Sequence, residues 1–86
     1  MPRSSIKAHR RKVLLELLRQ ARLAAGLRQA DVAAKLGKPQ SFVSNYESGE
    51  RRLDLLELES VCEALRVELA DFVMRYVKNS AATRKT

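Results

Sequence analysis

The sequence predicts an all-α domain, a compact bundle of five short helices, and three observations carry that prediction. Glycine (3) and proline (2) are scarce among 86 residues while Leu and Ala abound beside Glu, Lys and Arg, a composition that favours helix over sheet. No run alternates polar and apolar residues at period two. Apolar residues instead recur three and four apart, in blocks that end at glycines.

In the first block Leu14, Leu17, Leu18, Ala21 and Ala25 fall on one arc and Gly26 suits the left-handed residue after a helix, so helix 1 is expected over about 8–25. Helix 2, over about 29–36, presents Val32, Ala33 and Leu36 on one side and stops at Gly37. Pro39, whose fixed φ suits a first turn, opens helix 3, which covers about 40–47 and stops at Gly49. Asp54 with Glu57 three positions on reads as a capping box, and Leu55, Leu58, Val61, Cys62 and Leu65 form the apolar stripe of helix 4. Helix 5, about 69–77, is amphipathic, with Phe72, Val73, Tyr76 and Val77. The basic residues 1–7 and the segment 79–86 lack apolar periodicity and are expected to be a flexible arm and tail on one domain spanning 8–78.

A chain of this length has room for one small core, so one compact domain is expected and not a two-domain enzyme with a cleft between domains. One cysteine cannot make an intrachain disulfide, which fits a reducing cytoplasm. No window approaches about 18 consecutive apolar residues, and the basic start lacks a small-residue cleavage site, so neither a membrane span nor a signal peptide is expected. The net charge of +7 favours a polyanionic partner, since neutralising phosphates releases counterions; solubility alone is the alternative explanation. That charge is the sum of three blocks, +8 over residues 1–53, −5 over 54–71 and +4 over 72–86. The first block is the candidate polyanion face, and the acidic block points to solvent or to a protein partner.

Two short helices joined by a tight glycine-containing turn, in a small basic all-helical domain, match the physical description of a helix-turn-helix. With helix 3 wound at about 100° per residue, Gln40, Ser44, Ser48, Ser41 and Asn45 share one face and Phe42, Val43 and Tyr46 the other. A merely solvated face would more often carry Lys and Glu. Gln, Ser and Asn both donate and accept at base edges, and Gln or Asn pairs bidentately with adenine.

The stretch Leu23–Val67, with Gly26-Leu27, Gln29, Val32-Ala33, Leu36-Gly37, Gln40-Ser41, Val43-Ser44, Tyr46-Glu47, Gly49, Leu58 and Ala64-Leu65, closely resembles the phage-repressor and Cro-type (lambda-repressor-like) helix-turn-helix family of transcriptional regulators. The resemblance implies that Gln29 bonds a DNA phosphate and braces Gln40. It implies that Gln40, Ser41 and Asn45 meet base edges, that Ser44 reaches phosphate or base, and that Arg51 and Arg52 grip the backbone. Lys38 adds a phosphate contact or is a plain surface lysine. Arg22 and Glu47 match positions that form a partly buried ion pair, a scaffold feature and not a DNA contact. Two departures stand out. Arg28 replaces the usual Ser or Thr cap of helix 2, as a phosphate contact or a surface residue. Phe42 replaces a small or polar residue, and either packs on the domain or touches a thymine methyl.

His9 and Cys62 fall far short of a zinc ligand set, so no metal is expected, and no cofactor-binding loop or catalytic constellation is present, so an enzyme is not expected. Cys62 reads as a small buried hydrophobe. The basic run Arg3–Lys12 either follows the DNA backbone or is a solubilising arm. The expected function is sequence-specific binding of double-stranded DNA by a homodimeric, cytoplasmic transcriptional regulator. The expected dimer seam is Phe72, Val73, Tyr76 and Val77, and half-sites would lie about 34 Å apart. Two alternatives stand beside it: an antitoxin-type autoregulator whose acidic 54–71 surface meets a partner toxin, and a protein-interaction module that binds no DNA. RNA binding lacks the exposed aromatics that stack unpaired bases.

Overall fold

A computed structural model describes residues 3–84, with side chains from 6 to 81, and over them the chain forms five helices and no strand. They are α1 (Arg3–Ala24), α2 (Gln29–Leu36), α3 (Gln40–Ser48), α4 (Leu55–Ala64) and α5 (Leu69–Arg84). The outer helices correct the sequence expectation, because α1 starts at Arg3 instead of about 8 and α5 runs to Arg84 instead of about 77. Neither extension contains glycine or proline, and a helix already nucleated on a packed segment gains one hydrogen bond per added residue without needing an apolar stripe. The expected arm (1–7) and tail (79–86) are therefore helical where described; residues 1–2 and 85–86 lie outside the described residues.

The reversals between helices are set by a few local devices. Gly37, at φ 67°, lets its own N–H reach the Ala34 carbonyl (3.2 Å) and the Lys38 N–H reach that of Ala33 (2.9 Å), which closes α2 and aims the chain into α3. Gly49 ends α3 at φ 90°, where a Cβ would sit 3.3 Å from Leu15 Cδ1 and the Gly49 carbonyl accepts from Arg11. The same closure recurs after α4 without a glycine. There Arg66 adopts φ 61°, its N–H bonds the Glu63 carbonyl at 3.1 Å, and the Val67 N–H bonds that of Cys62 at 3.0 Å. At the start of α4 the Asp54–Glu57 box forms, with the Glu57 N–H donating to Asp54 Oδ1 (2.7 Å) and the Asp54 N–H to Glu57 Oε1 (3.0 Å).

Each helix contributes to one core: Leu17, Leu18 and Ala21 from α1, Val32 and Ala33 from α2, Val43 and Tyr46 from α3, Val61 and Cys62 from α4, and Phe72 from α5. Val32, Val43 and Val61 are fully buried, each removing enough apolar surface to contribute about 1.5–3 kcal/mol. Burial also pushes the Cys62 thiol pKa up. The core corrects one interface expectation. Phe72 is 3% exposed and so serves the monomer core, while Tyr76 is half-buried and Val73, Met74 and Val77 stay exposed on α5. Among the described residues no helix is long and apolar enough to cross a membrane.

Two substitutions test the reversals. Arg66→Gly removes a left-handed strain of about 1–2 kcal/mol but adds about 0.5–1 kcal/mol of unfolded-chain freedom, so a net gain near 0.5–1 kcal/mol is expected. Thermal unfolding should register it as a rise of several degrees. Gly49→Ala should lose about 1–2 kcal/mol by the same measurement, because the side chain meets both the left-handed backbone and Leu15.

Candidate nucleic-acid interface

The outward face of α3 is positioned by what its other face and its end are attached to. Val43 and Tyr46 point into the core, which turns Gln40, Ser41 and Asn45 fully outward and leaves Ser44 half-buried. Ser44 Oγ donates to the Ser41 carbonyl (3.2 Å) and Ser48 Oγ to the Asn45 carbonyl (3.1 Å), ordinary helical back-bonds. Among the described residues the Gln40 and Asn45 amides have no side-chain partner, so their donors and acceptors are available to a ligand.

Glu47 anchors the far end of the same helix. Arg22 Nε donates to its Oε2 at 2.7 Å and Arg22 Nη2 to its Oε1 at 3.1 Å, while Arg22 Nη1 donates to the Leu27 carbonyl at 3.0 Å. The two side chains are 10% and 6% exposed, and the bond to Glu47 raises the Arg22 pKa further. Gln29 Nε2 donates to Glu47 Oε1 at 3.0 Å. Gln29 therefore braces the end of α3 in this structure, and not Gln40 at its start.

The two departures resolve into intramolecular contacts. Asp31 accepts the Arg28 backbone N–H (2.8 Å) together with Arg28 Nε (3.2 Å) and Nη2 (3.0 Å), so only the reciprocal half of a capping box forms; a guanidinium cannot accept, and the Asp31 N–H bonds the Arg28 backbone carbonyl (3.0 Å) instead. These bonds, the guanidinium ones first, hold the Asp31 carboxyl down at about 2. Phe42 packs on the domain: its ring meets Tyr46 edge-on at 5.8 Å, with the Arg51 guanidinium 4.7 Å and the Lys38 ammonium 5.6 Å from its centroid. Arg51 is also paired with Glu57. Arg52 is exposed and has no partner among the described residues. The Phe42 platform and the Arg51–Glu57 pair are site features that sequence reasoning missed, because each joins α3 or α4 to the loop between them and no local spacing signals it. His9 is exposed, and the described residues hold no cluster of three or more metal-ligating side chains.

A helix-turn-helix family model matches residues 18–72, more than half of the chain. Among solved structures, an XRE-family like protein from Pseudomonas syringae pv. tomato is 40% identical and superposes with a TM-score of 0.83, covering 87% of this chain and 92% of that one. The clp gene regulator ClgR from Corynebacterium glutamicum is 25% identical, with a TM-score of 0.76 and coverage of 88% and 81%. The wild-type restriction-modification controller protein C.Esp1396I is 25% identical, with a TM-score of 0.74 and coverage of 80% and 91%. Its tetramer in complex with a natural 35 base-pair operator superposes with a TM-score of 0.76 at 24% identity, covering 84% and 95%. No curated protein matches the sequence significantly.

Two measurements test the anchoring of this face. Glu47→Ala leaves the Arg22 charge buried without its partner and should cost about 3–5 kcal/mol in chemical denaturation; a loss under about 1 kcal/mol would overturn the anchoring role. The depressed Asp31 carboxyl contributes stability that is complete above its ordinary value of 3.8 and lost as pH falls towards about 2. Acid melting of Asp31→Asn should therefore show a shallower decline across that window than the parent does.

Proposed function

The chain belongs to the helix-turn-helix family of DNA-binding transcriptional regulators, and from that premise we propose that it acts as a homodimer that reads one double-stranded DNA sequence with α3 in the major groove. The observation that carries the reading is the outward face of α3, uncharged, exposed at Gln40, Ser41 and Asn45, and backed by a buried anchor at Glu47. In this reading Gln40, Ser41 and Asn45 meet base edges, and Ser44 reaches base or phosphate. Gln29 uses one amide N–H on Glu47 and keeps a second for a phosphate. Lys38, Arg51 and Arg52 grip the backbone and set register without reading sequence. Arg52 is the cation with no internal claim, and Arg51 and Lys38 arrive ordered against Phe42.

The solved relatives support the reading, one being a gene regulator and another a controller protein held on its operator. A domain of this size covers few base pairs, so affinity and specificity call for two copies on half-sites about one helical turn, or about 34 Å, apart. Exposed apolar residues open to a second copy include Val73, Met74 and Val77 on α5 and Leu55 and Leu56 on the first turn of α4.

Selection of bound sequences from a random duplex pool should return a two-fold symmetric site. On that site Asn45→Ala should lose about 1–3 kcal/mol and relax specificity at one base pair; an equal loss on scrambled duplex would remove Asn45 from base reading. Arg52→Ala should weaken cognate and scrambled duplex alike and flatten the slope of log affinity against log salt by about one. A complex of one chain per selected site in sedimentation would overturn the dimer.

A further inference from the structure

A cleft of about 450 Å³ runs between the first half of α1, the loop after α3, and the inner faces of α4 and α5. That volume lies within the range of about 300–1,000 Å³ usual for small-molecule sites. Its half-buried apolar lining includes Leu14 and Leu15 of α1, Leu58 of α4 and Tyr76 of α5. Its cationic lining includes Lys7, Arg10 and Arg52, none of which has a bonded partner among the described residues. Two more cations on the cleft are already engaged, Arg11 on the Gly49 carbonyl and Arg51 on Glu57. No lining residue is a carboxylate.

Unneutralised cations around an apolar floor pose two demands that a DNA backbone meets only in part, since phosphodiesters bring charge and nothing to cover leucine. A molecule with one anionic head and a flexible hydrocarbon tail meets both. We propose that this cleft binds a monomeric long-chain carboxylate, with the tail along Leu14, Leu15, Leu58 and Tyr76 and the head among Lys7, Arg10 and Arg52. Because Arg52 also belongs to the backbone grip, the bound head withdraws that cation from DNA, and ligand and operator compete. This coupling, unlike the site itself, rests on the DNA-binding reading.

Calorimetric titration of the full chain, without DNA, with octanoate, decanoate and dodecanoate below their micellar concentrations tests the site. One molecule per chain is expected, with affinity rising about fourfold per methylene, and decanol binding at least tenfold more weakly than decanoate. The rim variant Lys7→Glu/Arg10→Glu, checked for folding by circular dichroism, should lose tenfold or more, and Lys7→Glu, at the exposed position, serves if the pair does not fold. Absence of saturable binding, affinity independent of chain length, indifference to charge reversal, or binding confined to phosphatidylglycerol vesicles would each overturn the proposal. Dodecanoate should then lower affinity for the selected duplex in step with occupancy. Unchanged duplex affinity at full occupancy would overturn the coupling and leave the site. Failure of any duplex to bind, with dodecanoate binding intact, would count against the DNA reading and not against the site.

Discussion

The carboxylate of Glu47 receives three N–H groups, two from Arg22 on α1 and one from Gln29 at the start of α2, and the other arrangements of the domain depend on it. A charge this deeply buried is tolerated only when its hydrogen bonds are made, so the pair adds little net stability but penalises strongly any packing that breaks it. What it specifies is rotation. Winding α3 by one residue would carry Glu47 away from Arg22 and swing Val43 and Tyr46 out of the core at once. Because Arg22 also holds the Leu27 carbonyl, the link between α1 and α2 is tied to the same point. Three segments meet there, and the outward direction of Gln40, Ser41 and Asn45 follows from that meeting.

The cations around α3 show a second layer of order. Phe42 offers its ring to Arg51 and Lys38, and Glu57, whose other oxygen caps α4, holds the Arg51 guanidinium. Side chains that would otherwise sample many rotamers are thus gathered before any polyanion arrives, which lowers the entropy lost on binding. The positive block of the sequence is therefore partly structured charge and partly loose charge. Arg52, Lys7 and Arg10 belong to the loose part and line one cleft.

Much of the fold was legible because its signals are local. The stops at Gly37 and Gly49, the helix start after Pro39 and the Asp54–Glu57 box each need only a few neighbouring residues, and α2 to α4 fall where the periodicity puts them. Arg66 ends α4 in the glycine conformation without a glycine, so nothing in the residue type announced the turn. The extra turns of α1 and α5 are mostly polar and carry no periodic stripe. Phe72 and Val73 are neighbours on an amphipathic helix, and only its packing against α1 and α4 decides which is core and which is surface. The polar face of α3 could be read from spacing, whereas the Arg22–Glu47 pairing came through family resemblance, and the Phe42 platform and the basic cleft required the loop after α3 in place.

The back-bonds of Ser44 and Ser48 close within α3 itself, and Gln40 and Asn45 have no side-chain partner among the described residues. The stability of the domain is therefore nearly independent of which polar residues stand on that face. Those positions can be exchanged one at a time without passing through unfolded intermediates, because the helix is held in place by the Glu47 anchor and not by its outward side chains. The residues that hold the helix and the residues that face outward from it are, in evolutionary terms, separately heritable traits.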